Sequence, residues 1–302
     1  MIIASRTPSK IEECIVALKA DYPLVQYRPL ALNLSSQKAV RRAADEVLSW
    51  EDIKQIDIVV NNAAVMNLPE RELSEEGIEM HFATNHIGHF LFTNLIMPKI
   101  IAAAKNNAKG TTRIINVSSL SPTVSTIRWS DINFDKVNNT LPEEEQPAYQ
   151  MHAMFGFKDT QTMSYIPIEG YSQSKVANVL YSIGLNRRSY EKYGILSLAV
   201  HPGIIKTELS RSATAETRAA IDNIIKSGIH IKTLGAGAAT TVLAAVDRNL
   251  DLPATKGDKE NMGVFLADCQ INDKANDAST KGENADRLWA VSEDLVGRKF
   301  TL

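Results

Sequence analysis

Tyr171-Ser172-Gln173-Ser174-Lys175 is the single Tyr-x-x-x-Lys pattern in the chain. On a helix the i, i+4 spacing puts phenol and ammonium on one face, where the cation favours the phenolate and equips the tyrosine to exchange protons. Taken alone the pair is equally an exposed helix contact. Ser118-Ser119 closes the apolar run Arg113-Ile114-Ile115-Asn116-Val117. Polar residues at the carboxyl end of a parallel strand lie where open α/β sheets take ligands, capping of the next segment being the alternative. Asn61-Asn62-Ala63-Ala64 ends another such run with small residues that let a ligand approach the backbone, as a plain turn would also use. Asn85 and Gly88 stand in a helical stretch that both residue types disfavour, Gly by about 1 kcal/mol relative to Ala. A local rule broken inside an element marks a candidate site. His201-Pro202-Gly203 follows a further apolar run, and Thr207 beyond it offers a hydroxyl. His86 and His89 have metal-ligand spacing but no convergent third ligand, so packing and local hydrogen bonds are their expected role, and no metal site is expected.

Such residues need a scaffold that gathers distant segments, and hydrophobic periodicity supplies one. Strands are expected at 1–4, 25–34, 56–60, 113–117, 195–200 and 262–266, that at 56–60 being read as an uninterrupted strand of the parallel-sheet kind, buried on both faces. Helices are expected at 11–20, 37–50, 74–104 with a break near Pro98, 171–193, 235–245 and 284–296. This alternation predicts an α/β fold with a doubly wound parallel sheet, as one domain over 1–302. Residues 121–170, rich in Pro, Asp, Glu and Asn, are too long for an ordinary connection and read as an insertion beside the site. Residues 202–233 read as a lid. Gly235-Ala236-Gly237 mimics a phosphate loop, but its Ala-rich sequel reads as helix packing.

A formal net charge of -2 and a pI near 6.3 provide no field to attract nucleic acid. Cys14 and Cys269 are too far apart in sequence for a C-x-x-C motif, which suggests neither a disulfide framework nor a zinc site and fits the cytoplasm. The most apolar stretch, 90–104, is interrupted by Asn94, Pro98 and Lys99, which argues against a membrane span. A small-molecule substrate is the expected partner.

Asn62, Asn85, Ser119, Tyr171, Lys175 and Pro202-Gly203, in this order and spacing, resemble the short-chain dehydrogenase/reductase family over nearly the whole chain. The wording Asn-His-Ile-Gly-His-Phe, Val-Ser-Ser, Tyr-Ser-Gln-Ser-Lys-Val-Ala-Asn and Val-His-Pro-Gly is similar to its retinol-dehydrogenase-like branch and fungal relatives. The resemblance implies a Rossmann-like enzyme that reduces a carbonyl or oxidises a secondary alcohol, in natural-product or lipid metabolism. Tyr171 would be the general acid/base, Lys175 would lower its pKa and bind the nicotinamide ribose, Ser119 would bond the substrate oxygen, and Asn85 would hold a relay water. Arg6 stands where NADP-preferring members hold the 2′-phosphate, so NADP(H) is the implied cofactor. Asn33, Leu34, Asn61, Asn62, Ala63, Pro202, Gly203, Ile205 and Thr207 are its other implied contacts. The family also implies a homodimer or homotetramer paired through the long helices around Asn85 and Tyr171.

The family normally carries another strand, a Gly-rich phosphate loop and a helix ahead of the strand at 1–4, and these 302 residues read as truncated against it. In the 3-2-1-4-5-6 order that strand lies between those at 1–4 and 56–60, so either the start falls at an internal Met of a longer protein, or the shortened chain has closed the gap, with cofactor binding weakened or lost and redox chemistry given up. Asn33 for the usual Asp and Ala64 for Gly are smaller departures. A nucleotide-free isomerase, dehydratase or cyclase using the same Ser, Tyr and Lys, and a non-catalytic binding protein, are the competing readings.

Overall fold

The computed structural model describes residues 1–226, 228, 230–251, 260–261 and 263–302. Strand β1 (Ile2–Ser5), helix α1 (Pro8–Asp21), β2 (Arg28–Ala31), α2 (Gln37–Ser49) and β3 (Ile58–Asn61) open the chain. A rod of α3 (Met80–Phe82), a π turn (Ala83–Ile87) and α4 (Gly88–Leu95) bends by 60° into α5 (Met97–Ala104). The break falls at Ile96, because Pro98 is accepted only in the first turn of the next helix. Then come β4 (Thr112–Val117), α6 (Tyr149–Met154), α7 (Pro167–Tyr193) and β5 (Ile195–His201). The chain continues through β6 (Ile204–Ile205), α8 (Ala215–Lys226), β7 (Ile231–Lys232) and α9 (Leu234–Val246). It ends with β8 (Phe265–Ala267), β9 (Gln270–Ile271), α10 (Asp277–Thr280) and α11 (Gly282–Leu295).

The α/β alternation is as expected, with shifted boundaries. The strand expected at 25–34 is trimmed to Arg28–Ala31, and the helix expected from 74 starts at Met80, since 74–79 form a turn through Gly77 at φ +74°. Helix α7 starts four residues early because Pro167, with its preset φ, takes the first helical position. Met262, the expected start of the last strand, lies outside the described residues.

The sheet departs from one continuous layer. Strands β1 and β2 pair in parallel on their own, while β3-β4-β5-β8-β9 form a second sheet whose first four strands are parallel. Strands β1 and β3 do not pair, so the gap expected there is not closed. The 56–60 run is accordingly not buried on both faces: Ile58 and Val60 are 40% and 44% exposed. Strands β4 and β5, each flanked on both sides, are fully buried.

One core nonetheless joins these two sheets, with Leu30 of β2 and Leu32 just beyond it packed in the same cluster as Phe90, Ile114 and Leu180, while β6 and β7 pair in parallel apart from both. Gly88 is where the halves touch: a Cβ there would stand 2.3 Å from the Leu34 carbonyl oxygen. That close approach explains the helix-disfavouring glycine. Gly88→Ala is expected to destabilise the protein by about 1–3 kcal/mol, because forced overpacking outweighs the gain in helix propensity. Equilibrium urea unfolding checks it, and a variant as stable as the parent would refute the contact.

Helix α11 and the C-terminal residues cover the outer face of α4 and α7. Trp289 packs edge-on against Phe90 at 5.1 Å and Phe300 lies 5.7 Å from the same ring. Among the described residues no single helix is long and apolar enough to cross a membrane, and the bent α3–α5 rod is core, with Phe82, Ile87, Leu91 and Ile100 buried.

The 121–170 insertion is an ordered body built on a buried arginine. The Arg128 guanidinium pairs with Asp131, donates to Asn138 Oδ1 and to the Lys136 and Ser164 carbonyls, and stacks 4.3 Å from the Phe134 centroid. Its polar composition disguises an interior.

Candidate active site

Three elements converge at the carboxyl end of β4. Lys175 Nζ donates to the Val117 carbonyl at 2.7 Å and lies 5.6 Å from the Tyr171 ring centroid, so the i, i+4 pair shares one face of α7 as its spacing requires. The Ser118 hydroxyl is buried and donates to the Lys175 carbonyl at 2.8 Å. Ser119, half-buried, is the serine that faces Tyr171. Burial pushes the Tyr171 phenol well above its usual range, and the neighbouring Ser119 hydroxyl works against that shift. Burial pushes the Lys175 ammonium down to about 7.

Asn85, in the π turn, acts as a clamp. Its Oδ1 accepts from Val65 N at 2.8 Å, and its Nδ2 donates to Val65 O and to Ser174 Oγ, each at 2.9 Å. This fixes the loop after β3 against α7, and both amide hydrogens are spent on it. His89 donates from Nε2 to the Ala63 carbonyl at 2.8 Å, tethering the same loop. His86 bonds Ser292 Oγ at 2.7 Å, 206 positions along the chain, so both histidines make long-range rather than local hydrogen bonds.

The remaining expected contacts divide. Asn62 and Ala63 are exposed beyond β3, with the Ala63 carbonyl tied to His89, and the Lys175 ammonium has spent one of its three N–H groups on Val117; these groups suit a ribose and a carboxamide. Pro202 and Gly203 are half-buried at the end of β5, with Gly203 at φ +88° and the Lys232 chain packed against it. Arg6 and Thr207 are exposed, and Thr207 caps Leu209 N. Asn61 is a correction. Its side chain points into the sheet, donating to Asn116 Oδ1 at 2.8 Å and Thr93 Oγ1 at 3.2 Å in a buried polar network, so it is not available to a ligand. Asn33 is exposed and accepts from Ser35, Leu34 packs on Gly88, and Ile205 on Gly237. The last contact makes Gly237 a packing glycine rather than part of a phosphate loop.

Two buried acid–histidine pairs flank Tyr171 with no signature in the sequence. Glu79 Oε1 lies 2.7 Å from His81 Nδ1, both fully buried, and the His81 ring stands 6.4 Å edge-on from Tyr171. Gly170, just before Tyr171, is packed on this pair, since a Cβ there would meet His81 Nδ1 at 2.9 Å. His152 bonds Glu169 in the same way.

Burial also makes the protein acid-sensitive. His86 is pushed from an ordinary 6.5 down to about 3, and His89 and His201 down to about 4, all chiefly by burial. The unfolded chain therefore takes up protons below 6.5 that the folded chain refuses. Stability is present above 6.5 and is lost as pH falls toward 4. Lys175, lowered from 10.5 to about 7, adds the same sign of slope across that higher window. Melting temperature should rise with pH across both windows; a flat profile would contradict the burial of these bases.

The family model for short chain dehydrogenase matches residues 1–131. Short-chain dehydrogenase TIC 32 A, chloroplastic, of Brassica napus is 33% identical over 300 residues, 98% of this chain and 80% of that protein. Retinol dehydrogenase 13 of Homo sapiens is 30% identical over 304 residues, 98% and 77% of the respective chains. Oxidoreductase fscI of Fusarium equiseti is 36% identical over 203 residues, 67% of this chain and 76% of its own. Among solved structures, an uncharacterised protein of Mycobacterium paratuberculosis superposes with TM-score 0.62 at 27% identity, covering 100% of this chain and 85% of that one. The NADPH-bound carbonyl reductase from chicken fatty liver shares the fold at TM-score 0.54 and 16% identity, covering 90% and 86%. The chain belongs to the short-chain dehydrogenase/reductase family, in its retinol-dehydrogenase-like branch, and is an oxidoreductase.

Proposed function

We propose that this oxidoreductase is NADP(H)-dependent and interconverts a carbonyl, aldehyde or ketone, and the corresponding alcohol on a small lipophilic molecule. The observation that carries the reading is the meeting of Ser119, Tyr171 and Lys175 at the end of β4. In the reducing direction the buried Tyr171 phenol holds its proton until negative charge grows on the substrate oxygen, then donates it. The Ser119 hydroxyl donates to the same oxygen, and the Lys175 ammonium stabilises the phenolate left behind. A nicotinamide cofactor, when bound, would supply or accept the hydride. Lys175 and the Asn62-Ala63 backbone would hold its ribose and ring, with Pro202, Gly203 and Thr207 nearby along the chain. Arg6 would take the 2′-phosphate. Asn85 acts by holding the loop that carries these backbone groups.

Fluorescence titration with NADPH and NADH tests the cofactor. NADPH should bind in preference to NADH, and weakly, because among the described residues the β1–β3 gap offers no cradle of backbone amides and an unpartnered pyrophosphate keeps its water. Arg6→Ala should cost about tenfold in NADPH affinity and leave NADH unchanged, the loss of one exposed phosphate contact. Equal affinity for both nucleotides, or saturable binding of neither, would overturn the assignment.

A further inference from the structure

The first turn of α7 carries more than the tyrosine. Glu169, two residues ahead of Tyr171, is buried with Oε1 2.8 Å from Nε2 of His152, a fully buried residue on α6. His152 Nδ1 lies 2.9 Å from Thr160 Oγ1. The His152 carbonyl accepts from Phe157 N at 3.0 Å and from Phe155 N at 3.1 Å. Both ring nitrogens and the carbonyl of one residue thus tie a short segment of the insertion to the catalytic helix. Phe155 and Phe157, with Met66, pack on the apolar cluster of Ile166, Ile168 and Tyr171. Gly156 between them adopts φ +84°, and a Cβ on it would stand 3.6 Å from Ala220 Cβ of α8. The insertion and the 202–233 region therefore meet at this point.

We propose that His152 is a positioning residue: its bonds to Glu169 and Thr160 hold Phe155 and Phe157 as an apolar roof beside Tyr171, which selects substrates carrying an apolar group next to the reacting carbon. The selectivity rests on the reading of Tyr171 as the proton donor; the latch itself does not. A desolvated donor–acceptor pair fixes the segment because parting it leaves both groups buried without partners. Glutamine can still offer an N–H to Glu169, whereas alanine offers nothing.

Hydrogen exchange on the full chain and aldehyde kinetics with NADPH test the two halves separately. In His152→Ala the Phe155 and Phe157 amides should exchange about tenfold faster than in the parent, while His152→Gln stays near it and Tyr171→Phe leaves them unchanged. In the same alanine variant KM for decanal should rise about tenfold with kcat nearly constant, and KM for glyceraldehyde should not move, the pattern of lost uniform binding to an apolar tail. Phe157→Ala should repeat that split. Unchanged exchange in His152→Ala overturns the latch, and equal KM shifts for both aldehydes, or a fall in kcat alone, overturns the roof. Should the parent chain reduce neither aldehyde, the Tyr171 reading and the roof's selectivity fail, and the exchange data still decide the latch.

Discussion

Tyr171→Phe is expected to lower kcat/KM for carbonyl reduction by about 10²- to 10⁴-fold, the usual worth of a positioned general acid. The substitution removes one oxygen and keeps the ring that packs on Ile166 and Ile168 and meets His81 edge-on, so the fold should survive. What disappears is the phenolic proton that α7 presents beside Ser119 and Lys175. Steady-state rates with NADPH and an aldehyde, read beside the melting curve, separate chemistry from folding. A loss below tenfold with an intact melt would mean that another group carries the proton.

Arg128→Met is expected to cost about 3–5 kcal/mol, the range for removing one partner of a buried ion pair. Asp131, its side chain 3% exposed, would keep the Asp135 and Lys136 backbone donors but lose its countercharge. The Asn138 side chain and the Lys136 and Ser164 carbonyls would lose their donor as well. The damage should centre on the insertion, with faster hydrogen exchange there than in β4 and β5. Arg128→Lys, which keeps the charge but not the planar fork, should fall between the two. Denaturant unfolding of the three proteins gives the order, and a loss under about 1 kcal/mol for the methionine variant would show that this pair does not organise the insertion.

What the sequence by itself determined was whatever depends on residue type and short spacing. The order of strands and helices follows from alternating apolar runs, and the Tyr171–Lys175 face follows from helical geometry that no tertiary contact alters. Ser119 was separable from Ser118 because the family motif ranks the two, and the structure buries Ser118 against the Lys175 carbonyl. Tertiary structure decided everything that depends on which distant groups become neighbours. Whether the 56–60 run was covered depended on a strand beside it, and the open β3 edge leaves Ile58 and Val60 half in water. Asn61 and Asn62 are adjacent and identical in type, yet strand pleating sends one into the Asn116 network and leaves the other at the surface. Gly88 was legible as an anomaly but not as the seat of Leu34, and a polar insertion concealed the buried Arg128–Asp131 pair. His152 and Glu169, 17 residues apart, have no spacing rule that could join them. Their partnership exists only because the folded chain excludes water from both, leaving each buried group no alternative partner.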